Sequence, residues 1–252
     1  MKALPPLARV AVVLSRTSHP GNIGAAARAM KTMGLGDLVL VAPRHFPHPE
    51  ATALAAGAAD VLERARVVPT LAAALADRTL VFGFSARGRD LSHPARDWRS
   101  CAPEAIAATA EGLVALVFGN ETSGLSNDEL LACQRLACIP ANPEYSSLNL
   151  AAAVQVACYE LAQAASAFRV PERPPRTLAT NAQREALHAR LHAVLVASGY
   201  LDPAEPGRLD ERMRRLAARL DLESEEVAIL HGMLSSLAGT GIGDGSGEPS
   251  PN

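Results

Sequence analysis

The chain has 252 residues, room for one large domain or for a medium domain with a small one, and its 48% apolar content excludes a wholly disordered protein. A formal net charge of −2 excludes a whole-molecule electrostatic grip on nucleic acid. That average hides a gradient: residues 1–168 carry 14 basic and 14 acidic side chains, residues 169–219 carry 10 and 6, and residues 220–252 carry six acids and no lysine or arginine. In chain order, short apolar runs at 9–14 (RVAVVL), 37–41 (DLVLV), 65–68, 79–84 (TLVFGF), 113–118 (LVALVF) and 136–139 (LACI) read as strands. Alanine-rich stretches such as 25–33 and 52–59 lie between them as helices, and residues 148–167 form a long helical pattern. Alternating strands and helices predict a parallel sheet covered on both faces, in a domain spanning 1–168. Residues 169–180, rich in Pro and Arg, read as a linker. Residues 181–238 show only helical patterns, including 183–198 and 209–220, and 239–252 reads as a disordered tail.

The four cysteines, Cys101, Cys133, Cys138 and Cys158, form neither a CxxC pair nor a zinc spacing, so buried free thiols and no metal are expected. His188 and His192 lie one helical turn apart, but no third ligand is evident and they read as surface residues. No run approaches the ~18 consecutive apolar residues of a membrane span, and no signal-peptide pattern opens the chain. A cytoplasmic, membrane-free protein is the expectation.

Three segments place glycine and small polar residues at strand ends, where open α/β sheets bind ligands. The first follows the strand at 9–14 and contains Pro20, Gly21, Asn22, Gly24 and Arg28. A helix starting near Asn22 would offer free N–H groups to an anion, with Arg28 about 1.5 turns further on. A dinucleotide fingerprint is excluded, because G-x-G-x-x-G is missing and the second strand ends in Ala42-Pro43-Arg44 without a ribose-binding acid. The second segment runs from Gly119 through Asn120 and Glu121 to Gly124. The third runs from Ile139 and Pro140 to Ser147, Leu148 and Asn149, where Ser147 can cap the long helix.

Together these motifs resemble the SPOUT superfamily of RNA 2′-O-methyltransferases, and most of all its TrmJ group, which methylates nucleotide 32 of the tRNA anticodon loop. Residues 22–29 (NIGAAARA) are similar to the first family motif, 118–125 (FGNETSGL) to the second, and Ile139-Pro140 with Ser147-Leu148-Asn149 to the third. Residues 83–89 (GFSARGR) look like a further strand-end motif of that group. The resemblance covers residues 8–168 well and continues loosely to about 238. It implies a C-terminal deep trefoil knot in the α/β domain, a homodimer with its active site at the interface, and a small all-helical extension. It also implies S-adenosyl-L-methionine as cofactor, held around Ser85, Ala86, Gly119, Ile139, Ser147 and Leu148.

Within that resemblance, Asn22 and Arg28 are expected at the ribose–phosphate, Glu121 orients Arg28, and Ser147 and Asn149 complete a polar wall. Arg28 is read as a phosphate clamp that stabilises the developing alkoxide, since a guanidinium essentially never deprotonates. Across 209–220, Leu209, Met213, Leu216 and Leu220 share one helix face, and Arg208, Arg212, Arg215 and Arg219 share the next. That ridge, with Arg87, is expected to contact the tRNA backbone, a solvated face being the plain alternative. The aromatic content of 4% argues against a base-stacking platform. A ribosomal RNA substrate, or an RNA-binding protein without turnover, stays open from the residues alone.

Overall fold

The computed structural model describes residues 6–86, 95–167, 176–204 and 207–239. β1 (Val10–Ser15) leads into α1 (Pro20–Thr32), β2 (Asp37–Val41) into α2 (Pro49–Ala55) and α3 (Ala59–Glu63), and β3 (Arg66–Val68) into α4 (Leu71–Leu75). β4 (Leu80–Phe84) and β5 (Arg96–Asp97) precede α5 (Trp98–Ala108). β6 (Val114–Phe118) is followed by α6 (Asn127–Leu131), and β7 (Arg135–Cys138) by the long α7 (Leu150–Ala167). The C-terminal helices are α8 (Asn181–Ala197), α9 (Leu209–Ala218) and α10 (Ser224–Gly239).

Among the described residues, seven strands form one sheet in the order β3-β2-β1-β6-β4-β7-β5, every neighbouring pair parallel. Strand order runs outward from β1 to β3 on one side and resumes beyond β6 on the other, which creates a topological switch point. Every residue of β1 and of β6 is buried, as in strands covered on both faces. On one face Val12, Leu14, Phe82 and Leu116 pack with Ile23 of α1, Trp98 of α5 and Val154 of α7. On the other, Val13, Val81 and Val117 meet Leu75 of α4 and Leu130 of α6. α1 and α2 touch closely enough that a Cβ on Gly24 would lie 2.0 Å from the Ala51 carbonyl oxygen.

Several boundaries differ from the sequence reading, each for a local reason. The stretch 52–59 is not one helix: Ala56 takes φ 48°, a single 3₁₀ turn follows, and α3 starts afresh. α1 starts at Pro20, whose fixed φ and missing N–H suit a first turn, so Asn22 lies inside the helix rather than at its cap. Asn149, not Ser147, caps α7: its Oδ1 accepts from the Ala151 and Ala152 N–H groups at 2.9 and 3.3 Å. β5 is two residues long, too short to carry a periodic signal.

The C-terminal helices dock on their own α/β domain at the amino ends of β4 and β7. Residues 176–180 pair with 221–224, the Ala179 N–H donating to the Leu222 carbonyl and the Ser224 N–H to Thr177, both at 2.8 Å. Arg184 of α8 donates to the Thr79 carbonyl at 2.6 Å, and the Asn181 N–H donates to the Arg78 carbonyl at 2.7 Å. The Gln134 amide donates to Asn181 Oδ1 at 2.7 Å, and its oxygen accepts from the Val81 N–H at 2.9 Å. Arg135 ties Glu104 of α5 to the Ala218 carbonyl and to Asp221. Arg78, Thr79, Gln134, Asn181 and Arg184 are all buried along this seam.

All four cysteines are free, Cys138 half-buried and the others buried. Burial pushes the Cys158 thiol up to about 12. His188 departs from the sequence reading: it is largely buried between α8 and α9, with Nε2 3.2 Å from Asp210 Oδ1, and burial holds its imidazole below the usual range.

Candidate active site

Over the carboxyl ends of β4, β6 and β7 lies a cleft of roughly 840 Å³, counting its open mouth. Phe84 and Phe118 line it and stack with centroids 4.4 Å apart and planes 15° from parallel. Behind them Trp98 meets Phe84 edge-on at 4.9 Å, and its indole N–H donates to the Ala157 carbonyl at 2.9 Å. Rings fixed in this way make a rigid apolar floor. The walls come from Ser85 and Ala86 after β4, from residues 119–125 after β6, and from Ile139 and Ser146–Leu148 after β7. Gly119 has no room for a side chain, because a Cβ there would lie 2.1 Å from the Gly124 carbonyl carbon. The loop after β6 folds back on itself at that point, closed by the Gly124 N–H donating to the Asn120 carbonyl at 2.8 Å.

The rim is a continuous set of hydrogen bonds joining all three sequence motifs. Glu121 Oε2 accepts from the Ser18 N–H at 3.0 Å and the Ser18 hydroxyl at 2.8 Å. Oε1 accepts from the His19 N–H at 3.2 Å and from Asn22 Nδ2 at 3.0 Å. Asn22 Oδ1 in turn accepts from Asn149 Nδ2 at 3.0 Å. Burial alone would raise the Glu121 carboxyl, but the bonds from Asn22 and Ser18 outweigh it and hold it down to about 2. The turn leading into α1, beside the helix start that the sequence offers to a phosphate, holds this carboxylate.

Glu121 therefore does not orient Arg28 within the chain. Arg28 lies six residues beyond Asn22, roughly 240° around the helix, so the two side chains leave on different faces. It is exposed and makes no side-chain hydrogen bond or ion pair among the described residues. Ser147 and Leu148 are exposed at the cleft, and Ile139 is half-buried there. Arg87 lies outside the described residues. On the extension, Arg208 pairs with Glu211 at 3.4 Å, while Arg212 and Arg219 are exposed and Arg215 is half-buried.

Sequence reasoning passed over Ser18 and His19, whose part depends on a carboxylate about a hundred residues away. It also passed over Glu129, a buried acid that accepts from the Ser15 hydroxyl at 2.5 Å and from Arg16 at 2.7 Å. Glu129 had a readable signal, since Ser126-x-x-Glu129 has capping-box spacing and forms that box.

Among the described lining residues, none is Lys, Arg or His, and the one carboxylate, Glu121, already has four donors. Among the described lining residues a phosphorylated nucleotide would find no counter-charge. A nucleoside-sized ligand fits the cleft, with the Phe84 and Phe118 rings for apolar faces and backbone and hydroxyl groups for the rest.

The SpoU rRNA Methylase family model matches residues 9–159, and that of the tRNA methyltransferase TrmJ C-terminal domain matches residues 182–244. The tRNA (cytidine/uridine/adenosine-2′-O-)-methyltransferase TrmJ of Pseudomonas aeruginosa is 47% identical, over 91% of this chain and 93% of that protein. The tRNA (cytidine/uridine-2′-O-)-methyltransferase TrmJ of Klebsiella pneumoniae is 46% identical, over 92% of this chain and 97% of its own. The crystal structure of TrmJ from Z. mobilis ZM4 superposes with a TM-score of 0.81 at 35% identity, over 94% of this chain and 100% of that one. By its sheet, its cleft and these likenesses, the chain belongs to the SpoU methylase family, within the TrmJ group.

Proposed function

We propose that the protein transfers the methyl group of S-adenosylmethionine to a ribose 2′-hydroxyl of tRNA, at nucleotide 32 of the anticodon loop. It works as a cytoplasmic homodimer, with the active site completed at the subunit interface and the cleft loops knotted as in the SPOUT fold. The observation that carries this reading is the Asn149–Asn22–Glu121 chain, which brings three separate motifs to the rim of a nucleoside-sized cleft.

S-adenosylmethionine supplies a methyl group already activated for transfer, which leaves the chain to place the acceptor oxygen and handle its proton. Ser85, Ala86, Gly119, Ile139, Ser147 and Leu148 would hold the cofactor, as lining residues of the cleft. Arg28, free of intramolecular partners among the described residues, clamps the phosphate beside the target ribose and stabilises charge developing on the 2′-oxygen. Glu121 is a positioning residue that fixes Asn22 and the turn before α1, while Ser147 and Asn149 form the polar wall. Arg208, Arg212, Arg215 and Arg219, with Arg87, contact the tRNA backbone away from the reacting centre.

The test is methyl transfer from labelled S-adenosylmethionine to unmodified tRNA, with the modified nucleotide and its 2′-oxygen mapped. Arg28→Lys keeps the charge but loses the two-pronged fork, so turnover is expected to fall on the order of 100-fold while cofactor affinity holds. Undiminished turnover in that variant would remove the role. Transfer to ribosomal RNA and none to tRNA would keep the chemistry and replace the substrate.

A further inference from the structure

The loop between β7 and α7 carries an aromatic ring that neither the cleft floor nor the hydrogen-bonded rim employs. Tyr145 is 79% exposed, the highest value among the exposed large hydrophobic side chains of the described residues, and Leu148 beside it is 40% exposed. Its backbone is nevertheless fixed: the Tyr145 N–H donates to the Asn142 carbonyl at 2.9 Å, and the Glu144 N–H donates to Asn142 Oδ1 at 3.1 Å. The next three residues, Ser146, Ser147 and Leu148, line the cleft, so the ring stands within about 10 Å of it along the chain.

We propose that Tyr145 stacks on the nucleobase of the nucleotide whose ribose is methylated, and so holds that base splayed out while its 2′-oxygen enters the cleft. The inference rests on the RNA-methylating reading above and deepens it. A nucleotide that presents its 2′-hydroxyl deep in a cleft has to part its base from the neighbouring stack, and the base then needs a surface. An aromatic face accepts any base, and a tyrosine with two side-chain torsions costs little to order. An aromatic content of 4% argues against a platform that stacks successive bases, but a single splayed nucleotide needs only one exposed ring. Tyr159 lies on α7 six residues beyond Ala153, the last residue of that helix to line the cleft, and Tyr200 lies beyond the end of α8; neither is next in sequence to a lining residue, as Tyr145 is to Ser146.

The experiment compares full-length wild type with Tyr145→Ala, Tyr145→Phe and Tyr145→Leu in steady-state methylation of unmodified tRNA. Cofactor affinity is measured by calorimetry and oligomeric state by sedimentation. Stacking predicts that Tyr145→Ala raises the KM for tRNA by roughly 5- to 150-fold with cofactor affinity and oligomeric state unchanged. Tyr145→Phe should restore most of that loss, and Tyr145→Leu, which keeps bulk without a π-face, should not. An unchanged KM in Tyr145→Ala, equal rescue by leucine, or an altered oligomeric state would each overturn the inference. Absence of tRNA methylation by the wild type would overturn the underlying reading, and this one with it.

Discussion

Glu121 braces the turn that leads into α1. His19, at the N-cap position, makes no side-chain cap bond, and the carboxylate of Glu121 accepts from the Ser18 and His19 N–H groups just before the helix. Because its folded pKa of about 2 lies below the ordinary value of 4.5, its stabilisation is fully present above about pH 4.5 and is lost as pH falls toward 2. Glu121→Gln is therefore expected to cost about 1 kcal/mol at neutral pH, below the range of about 1.5–3 kcal/mol for hydrogen bonds to buried charged groups because solvent screens this rim carboxylate. Thermal melts of wild type and variant across pH 2–7 check this: the gap should close through the window from 4.5 to 2, and a constant gap would count against the bracing role. The sequence made Asn22, Glu121 and Asn149 legible as a set, through the motif strings that contain them. It did not reveal who bonds whom, because Glu121 and Ser18 are 103 positions apart and only the β1–β6 pairing brings them together. Reading Arg28 as Glu121's partner failed for the same reason: helix phase separates Arg28 from Asn22 although both share one motif.

At the level of elements, the buried strands were legible almost to the residue, because β-branched runs that are apolar on both faces have few other readings. The alanine-rich stretch at 52–59 was not, since Ala favours helix everywhere and says nothing about the break at Ala56. At α9, Arg214 carries ion pairs to Glu185 at 2.8 Å and to Asp210 at 3.3 Å, and of the four ridge arginines Arg208 pairs with Glu211. The exposed Arg212 and Arg219 are thus available to a polyanion. Arg212→Ala with Arg219→Ala should weaken tRNA binding and reduce the slope of log K against log salt by roughly 0.7–0.9 per lost phosphate contact. Binding isotherms at several salt concentrations measure that slope, and an unchanged value would leave the ridge as a solvated face.

Across the whole molecule, the cleft occupies the carboxyl ends of the strands and the docking seam of the extension the opposite ends of β4 and β7. Composition set residues 169–180 apart as a linker but could not show that the helices after it are clamped to their own α/β domain, because Gln134 and Arg184 look like ordinary polar residues in sequence. Gln134 satisfies a strand N–H with one end of its amide and Asn181 with the other. Gln134→Ala should therefore cost about 1–3 kcal/mol, read as a lower urea midpoint. An unchanged midpoint would mean that the seam adds nothing to stability. The chain contains one tryptophan, Trp98, which is 1% exposed and meets Phe84 on the cleft floor. The protein therefore carries an intrinsic fluorophore one ring away from its ligand site. Its emission gives an unlabelled optical signal both for filling of the cleft and for loss of the core around it.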